Sequence, residues 1–396
     1  MGANASLCIE QLEIDWGKNH HFNNHSRLFL PTDIKDVPYY FDDNENRYHY
    51  YPAFVRKLGQ LKKRLELLGY SITNIKYMYE EEAASFPDYL ARPLPFDVFA
   101  EVITSANIPK IKSYEEEYAE FDQGEFVKFC IFKDPEFNKT ASLDSMDEDL
   151  FGFYEYLDPY ILLRLILENS ENHDLELQWK YNEIFESGYI SEEDLYQQIT
   201  DEERYLIVTE GSSDSQIIRI AIDLLEPEIA DFFYFIDMKD NYPFTGVGSL
   251  LNFCKGLAKI RIENHIVAIF DNDTAGREMY EQALKIKIPK KLKIMKLPDI
   301  NSCRKILCKG PSGENIEDIN GKAVAIECFL DFNYKMDAPP IIRWKNYNER
   351  LDSYHGSLID KAKYQRIYFD MHRKDKTYDF SKMEQLLTSI YEHCVG

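Results

Sequence analysis

Four apolar runs of β type, separated by patterns of helical spacing, restrict the fold of residues 203 to 300 more than any other feature of the chain. The runs are RYLIVT at 204–209, FFYFI at 232–236, HIVAIF at 265–270 and LKIMKL at 292–297. Between them Ile217, Ile218, Ala221 and Leu225 recur at helical spacing, Gly246 and Gly248 open a second such pattern to about residue 260, and a third follows Gly276. Strands alternating with helices of this length imply right-handed crossovers and a parallel sheet covered on both faces.

In such a sheet the loops after the strands gather on one edge, where ligands bind. Glu210 follows the first run, and Asp271-Asn272-Asp273 follows the third. Residues two apart on an extended chain point the same way, so Asp271 and Asp273 can present their carboxylates together. Three carboxylates packed closely repel one another unless a divalent cation neutralises them, and hard oxygen ligands suit Mg²⁺ or Mn²⁺ rather than zinc. Each residue also has a structural reading. Asp and Glu are common turn residues, Ser212 or Ser213 can cap a helix, and Asp214 can favour a helix dipole. Gly211 and Gly276 allow close backbone approach, and together the positions favour a metal site. Asp237, after the second run, is a further candidate ligand.

The segments VTEGSSD at 208–214 and FDNDTAG at 270–276 resemble the two signature motifs of the Toprim domain, shared by topoisomerases, bacterial primases and nucleases of the overcoming-lysogenization-defect type. The resemblance covers about residues 203–300, a quarter of the chain. It implies Mg²⁺-dependent breakage or formation of phosphodiester bonds, with Asp271 and Asp273 on the metal and Glu210 binding metal or moving a proton. By the same resemblance Glu327 supplies an additional acidic ligand and Lys361 a later catalytic lysine; Asp214 is the alternative to Glu327 as a metal ligand. Residues 1–30, beginning MGANASLCIEQLEIDWGKN, resemble a small N-terminal domain found ahead of HEPN or Toprim domains in bacterial proteins, which implies a role in antiphage defence.

Several relatives are disfavoured. A primase would bring a cysteine-rich zinc module, which is missing, and the chain has no G-x-x-x-x-G-K-[ST] element, so ATP coupling would need a partner chain. No sequence context singles out a nucleophilic tyrosine among 28. Hydrolysis of DNA or RNA is the reaction left with least to explain, and strand transfer through a tyrosine intermediate is a further alternative. The rival reading is a latent or non-catalytic sensor or assembly module of a defence complex, and a homo-oligomer is a further expectation.

The expected architecture is α/β: a Toprim-type parallel sheet flanked by helices, preceded by a small α+β domain and a helical region. Residues 1–110 are the α+β domain, 111–202 an acidic, mainly helical connector, 203–300 the Toprim catalytic domain, and 301–396 a C-terminal extension packing on it. Residues 6–15 alternate as an opening strand or hairpin. Phe54, Leu58, Leu61, Leu65 and Leu68 mark one face of a helix that Gly69 can end. Its other face, with Arg56, Lys57, Lys62, Lys63 and Arg64, reads as solvated rather than as a nucleic-acid contact. The patterns at 148–168 and 174–187 read as helices, and 318–330 as a helix entered after Gly321.

Charge bears on the partner. Lys and Arg number 46 against 69 Asp and Glu, a net −23 that opposes indiscriminate duplex binding. The acidic connector, with Glu115, Glu116 and Glu117 and the segment SLDSMDEDLF, would repel phosphates. Residues 281–310 reverse the sign with nine basic residues against two acidic, including Lys285, Lys287, Lys290, Lys291, Lys293 and Lys296, and are a candidate phosphate-binding face. A second basic segment spans 361–376, with Lys361, Lys363, Arg366, Arg373, Lys374 and Lys376.

Seven scattered cysteines suggest reduced thiols in a cytosolic setting, with Cys303 and Cys308 as packing residues. No run approaches the roughly 18 to 20 apolar residues of a membrane span, and no secretory signal is expected. The opening Met-Gly-Ala-Asn-Ala-Ser fits the myristoylation pattern only by coincidence, because no polybasic segment supports it.

Overall fold

The computed structural model describes residues 2–42, 46–86, 93–110, 122–133, 148–196, 199–236, 246–311, 313–371, 375 and 377–396. The chain forms two compact units, Met1–Gln198 and Ile199–Gly396.

The first unit opens with the expected hairpin, β1 (Asn4–Ile9) and β2 (Leu12–Lys18). There follow β3 (Ile34–Asp42), β4 (Arg47–Lys57), α1 (Lys62–Leu67), α2 (Ile72–Ser85), α3 (Phe96–Thr104), α4 (Gln123–Lys133), α5 (Glu148–Glu155) and α6 (Pro159–Ile166). The unit closes with β5 (Glu176–Lys180), α7 (Asn182–Glu186) and α8 (Glu192–Leu195). The strands form an antiparallel sheet in the order β2-β1-β5-β4-β3. Its core joins Leu7, Phe54, Trp179 and Leu177 from the strands to Phe99, Ile103, Leu162 and Ile166 from the helices.

Three expectations fail here. The apolar series from Phe54 to Leu68 is not one helix: Phe54 lies in β4, stacked 5.8 Å from Trp179, and only 62–67 is α-helical before Gly69 turns at φ +99°. Packing against the ring of Trp179 outweighs a spacing that suits either element. The supposed solvated face is partly interior. Buried Arg56 pairs with Asp33 at 2.7 Å, and buried Arg64 donates twice to the Arg27 carbonyl. Residues 174–187 are a strand and a short helix, since Leu177 and Trp179 alternate inward from β5 between β1 and β4. Glu115, Glu116, Glu117 and residues 142–147 lie outside the described residues.

In the second unit β6 (Tyr205–Thr209), α9 (Ser212–Leu225), β7 (Phe233–Phe235), α10 (Val247–Leu257), β8 (His265–Phe270), β9 (Asn272–Asp273), α11 (Thr274–Ala283) and β10 (Leu292–Lys296) follow in order. The strands β10-β8-β6-β7 make a parallel sheet with helices between them, the architecture the alternation requires. One side of the core gathers Val208, Ala268 and Phe270 with Leu250, Leu251, Cys254 and Ala283. Next come β11 (Ile306–Gly310), β12 (Gly313–Glu317), β13 (Ala323–Val324), β14 (Ile341–Asn348), β15 (Ser353–Leu358), α12 (Lys361–Phe369) and α13 (Ser381–Val395). The order β12-β11-β14-β15 is a second, mixed sheet, and β13 pairs antiparallel with β9.

The helix expected over 318–330 is not formed. Gly321 turns at φ +74°, β13 takes two residues to cover β9, and a 3-10 turn at Ile326–Phe329 follows. Asp237, Arg373, Lys374 and Lys376 lie outside the described residues. Among the basic residues, Lys293 donates to the Gly396 carbonyl and Lys296 to Asn272, so part of that face is committed internally. All seven cysteines are buried and unbridged. Among the described residues no helix is long and apolar enough to cross a membrane.

Candidate active site

Strands β6 and β8 pair in register, with Thr209 opposite Ile269, so the residues leaving their carboxyl ends emerge side by side. The Glu210 carboxylate Oε1 accepts the Asp271 backbone N–H at 2.9 Å, tying the two ends together. Asn272 turns inward, as alternation demands. Fully buried, it donates to Asp299 at 2.7 Å and accepts from Lys296. Asp273 caps α11 by accepting the Gly276 N–H at 2.7 Å. Gly276 permits this turn because a Cβ there would stand 2.2 Å from the Asp271 carbonyl oxygen.

Asp214 lies in the first turn of α9, held by the Ser213 hydroxyl at 3.2 Å. Glu327 comes from the 3-10 turn and is almost fully buried. Its Oε1 accepts from Lys361 Nζ at 2.9 Å and from Gln365 at 2.6 Å, while its Oε2 is buried without a hydrogen-bond partner. Lys361 opens α12 directly after Asp360, whose φ of +59° turns the chain into the helix.

These six side chains share one electrostatic neighbourhood. Burial pushes the Glu210 carboxyl up to about 7; the Asp271 N–H pulls against it, and weaker repulsion from Asp273 and Asp214 adds to the rise. Burial and then Glu327 raise Asp214 to about 6. Asp271 is pushed well above the carboxylate range by burial and then by Glu210, Asp214 and Asp273. Burial alone would lower Lys361, but Glu327, Asp271 and Asp214 outweigh it and hold the ammonium above its ordinary value. Of the positions singled out in the sequence, Glu210 is hydrogen-bonded to the Asp271 backbone and Lys361 to Glu327, while Asp214 and Asp273 act on this group electrostatically.

The donors are all oxygens, the set that suits a hard divalent cation, and the buried, unpartnered Glu327 Oε2 is an acceptor such a set can use. Among the described residues, however, no group of three His, Cys, Asp or Glu side chains already stands as a metal cage. The sequence reading missed His355. It comes from β15, with Nδ1 3.5 Å from Asp273 Oδ2. Nothing local marks it, because it reaches the site only through the pairing of β15 with β14.

The family described as HEPN/Toprim N-terminal domain 1 matches residues 1–203, just over half of the chain, and ends immediately before β6. The carboxylate cluster lies wholly downstream of that match. Neither the curated proteins nor the solved structures contain a match.

Proposed function

Because this chain belongs to the HEPN/Toprim N-terminal domain 1 family, we propose that its second unit is a Toprim-type phosphodiesterase that uses Mg²⁺ or Mn²⁺ to hydrolyse DNA or RNA. The observation that supports the reading is the Glu210 carboxylate accepting the Asp271 N–H at 2.9 Å where the adjacent parallel strands β6 and β8 end, with burial raising Glu210, Asp271 and the nearby Asp214. Carboxylates held at such cost to stability are what a site for a cationic cofactor and an anionic substrate requires.

Asp271 and Asp273, with Asp214 or Glu327, would hold the ion, which when bound supplies Lewis acidity toward a phosphate oxygen. Glu210, anchored by the Asp271 N–H at 2.9 Å, would accept the proton of a water attacking phosphorus and pass it to the leaving oxygen as the ester P–O bond breaks. Lys361 places a positive charge beside the cluster, where negative charge builds on the phosphate oxygens. The family match and the resemblance at 1–30 support a setting in antiphage defence, and any ATP coupling would come from a partner chain.

The test incubates the full chain with DNA and with RNA, including tRNA, in Mg²⁺ and in Mn²⁺. Cleavage that is lost in Glu210→Gln and in Asp271→Asn supports the assignment; cleavage that persists in both ends it. A second reading has its own observation. The lack of a ready-made cage among the described residues favours a latent site or a non-catalytic assembly module. Calorimetry separates the two, because the latent module takes up neither ion at millimolar concentration while its carboxylates are intact.

A further inference from the structure

A cleft of about 410 Å³ lies against the Asp271–Asp273 turn, lined by Thr274, Ala275, Asn346, Tyr347, Asn348 and His355. Its volume falls in the ~300–1,000 Å³ range of small-ligand sites. We infer that this cleft docks one unpaired base of a single-stranded nucleic acid, with Tyr347 as the stacking platform and Asn346 as the polar edge. The inference rests on the phosphodiesterase reading and adds the strand form of its substrate.

Position comes first. Thr274 and Ala275 directly follow Asp273, and the Thr274 hydroxyl donates to the Tyr354 carbonyl at 2.9 Å. The Gly356 N–H donates to the Lys322 carbonyl, beside β13. The hairpin of β14 and β15 is thus fastened to the turn that carries the carboxylates. A base seated in it therefore lies beside the turn that carries Asp273.

The lining suits a base. The ladder of β14 and β15 is irregular between Trp344 and Asn346, and such bulges re-aim side chains beside active sites. After the bulge Asn346 stands opposite His355 and Tyr347 opposite Tyr354. Tyr347 is 49% exposed; its hydroxyl donates to Asp352, and its ring lies 5.1 Å from that of Tyr354. This braces the ring and leaves a face available. The exposed amide of Asn346 makes no hydrogen bond among the described residues, and His355, which also lines the cleft, turns its Nδ1 toward Asp273 at 3.5 Å. Asn348 is held in place by Glu278 at 3.1 Å.

The Asn346 amide offers both a donor and an acceptor to a base edge, while the Tyr347 ring supplies sequence-tolerant stacking. Charge is close to balanced here, since residues 341–358 carry Arg343, Lys345 and Arg350 against Glu349 and Asp352 and Arg350 pairs with Glu278 at 2.7 Å, so stacking rather than charge carries the docking. A duplex hides its base faces in the stack, so the occupant is a single strand.

Fluorescence anisotropy on the full chain in EDTA, where cleavage is suppressed, tests this with labelled single-stranded DNA, single-stranded RNA, duplex DNA and an abasic strand of equal length. Tyr347→Ala should weaken whichever single strand binds roughly five- to hundredfold, the range expected for one stacked base. Tyr347→Phe should restore it, and the abasic strand and duplex should not respond. Unchanged single-strand affinity, equal losses on abasic or duplex probes, or no single-strand binding by the native chain would overturn the cleft. Tyrosine-dependent binding without any cleavage would sink the hydrolase reading alone. Cleavage lost in Glu210→Gln alongside tyrosine-independent binding would sink the cleft alone.

Discussion

Glu327 and Lys361 show how a residue can be anticipated through an element that does not exist. Flanked by Ile326 and Cys328, Glu327 reads as an interior carboxylate, and it is interior, but on a 3-10 turn where a helix was expected. Its partners, Lys361 and Gln365, lie one helical turn apart on α12 and reach it from more than thirty residues downstream. That pairing leaves no trace in local pattern. Lys361→Met strands the buried carboxylate with Gln365 alone. Since the lysine is about half exposed, we expect a loss of roughly 1–3 kcal/mol, the cost of an under-satisfied buried group, rather than that of a fully buried ion pair. Urea unfolding measures it. Glu327→Gln combined with Lys361→Met should recover part of the loss, and a double variant as weak as the single one would mean that the charge of Glu327 is not what the lysine offsets. Asp271 and Asp273 were legible for the opposite reason, because a carboxylate directly after an apolar strand needs only local sequence to be placed.

At the scale of elements, legibility followed how continuous the apolar run of a strand is. β6 and β8 are covered on both sides, read as continuous apolar runs, and were placed from sequence to within a residue. β4 misled, because Ala53, Phe54, Val55 and Arg56 are all buried and give no alternation, so the spacing of later leucines drew Phe54 into a helix. β5 did alternate, but five residues are too few to outweigh the helical spacing around them. The junction between β8 and α11 depends on a single glycine. In Gly276→Ala the new methyl meets the Asp271 carbonyl, which is backbone and cannot rotate away. Either the Asp273 cap opens or the turn shifts, and overpacking of this kind costs about 1–3 kcal/mol. The expected result is a lower thermal midpoint together with cleavage reduced beyond what the residual folded fraction explains. A variant with full midpoint and full activity would show that the turn tolerates the methyl and that Asp271 is not held by this contact.

For the whole molecule the issue is how a chain of net charge −23 tolerates several carboxylates in one buried place. Glu210, near 7, and Asp214, near 6, bind protons more tightly folded than unfolded. Their stabilising contribution is therefore complete below the ordinary carboxylate pKa and is lost as pH rises through those values. His265 works the other way: burial lowers its pKa, so its charging penalises the fold at the acid end. Ion-free protein should then melt higher at about pH 6 than at about pH 8, and Mg²⁺ should raise the midpoint more at the higher pH, where protons no longer compete for the carboxylates. General charge repulsion also grows with pH, so the slope alone does not identify the cluster. The difference between the native chain and Glu210→Gln does, because the substitution leaves the remaining surface charge and His265 in place. Scanning calorimetry of both, with and without Mg²⁺, should show a flatter pH dependence and a smaller Mg²⁺ response in the variant. Parallel curves would place the pH dependence elsewhere in the molecule and remove the cluster's claim to a divalent ion.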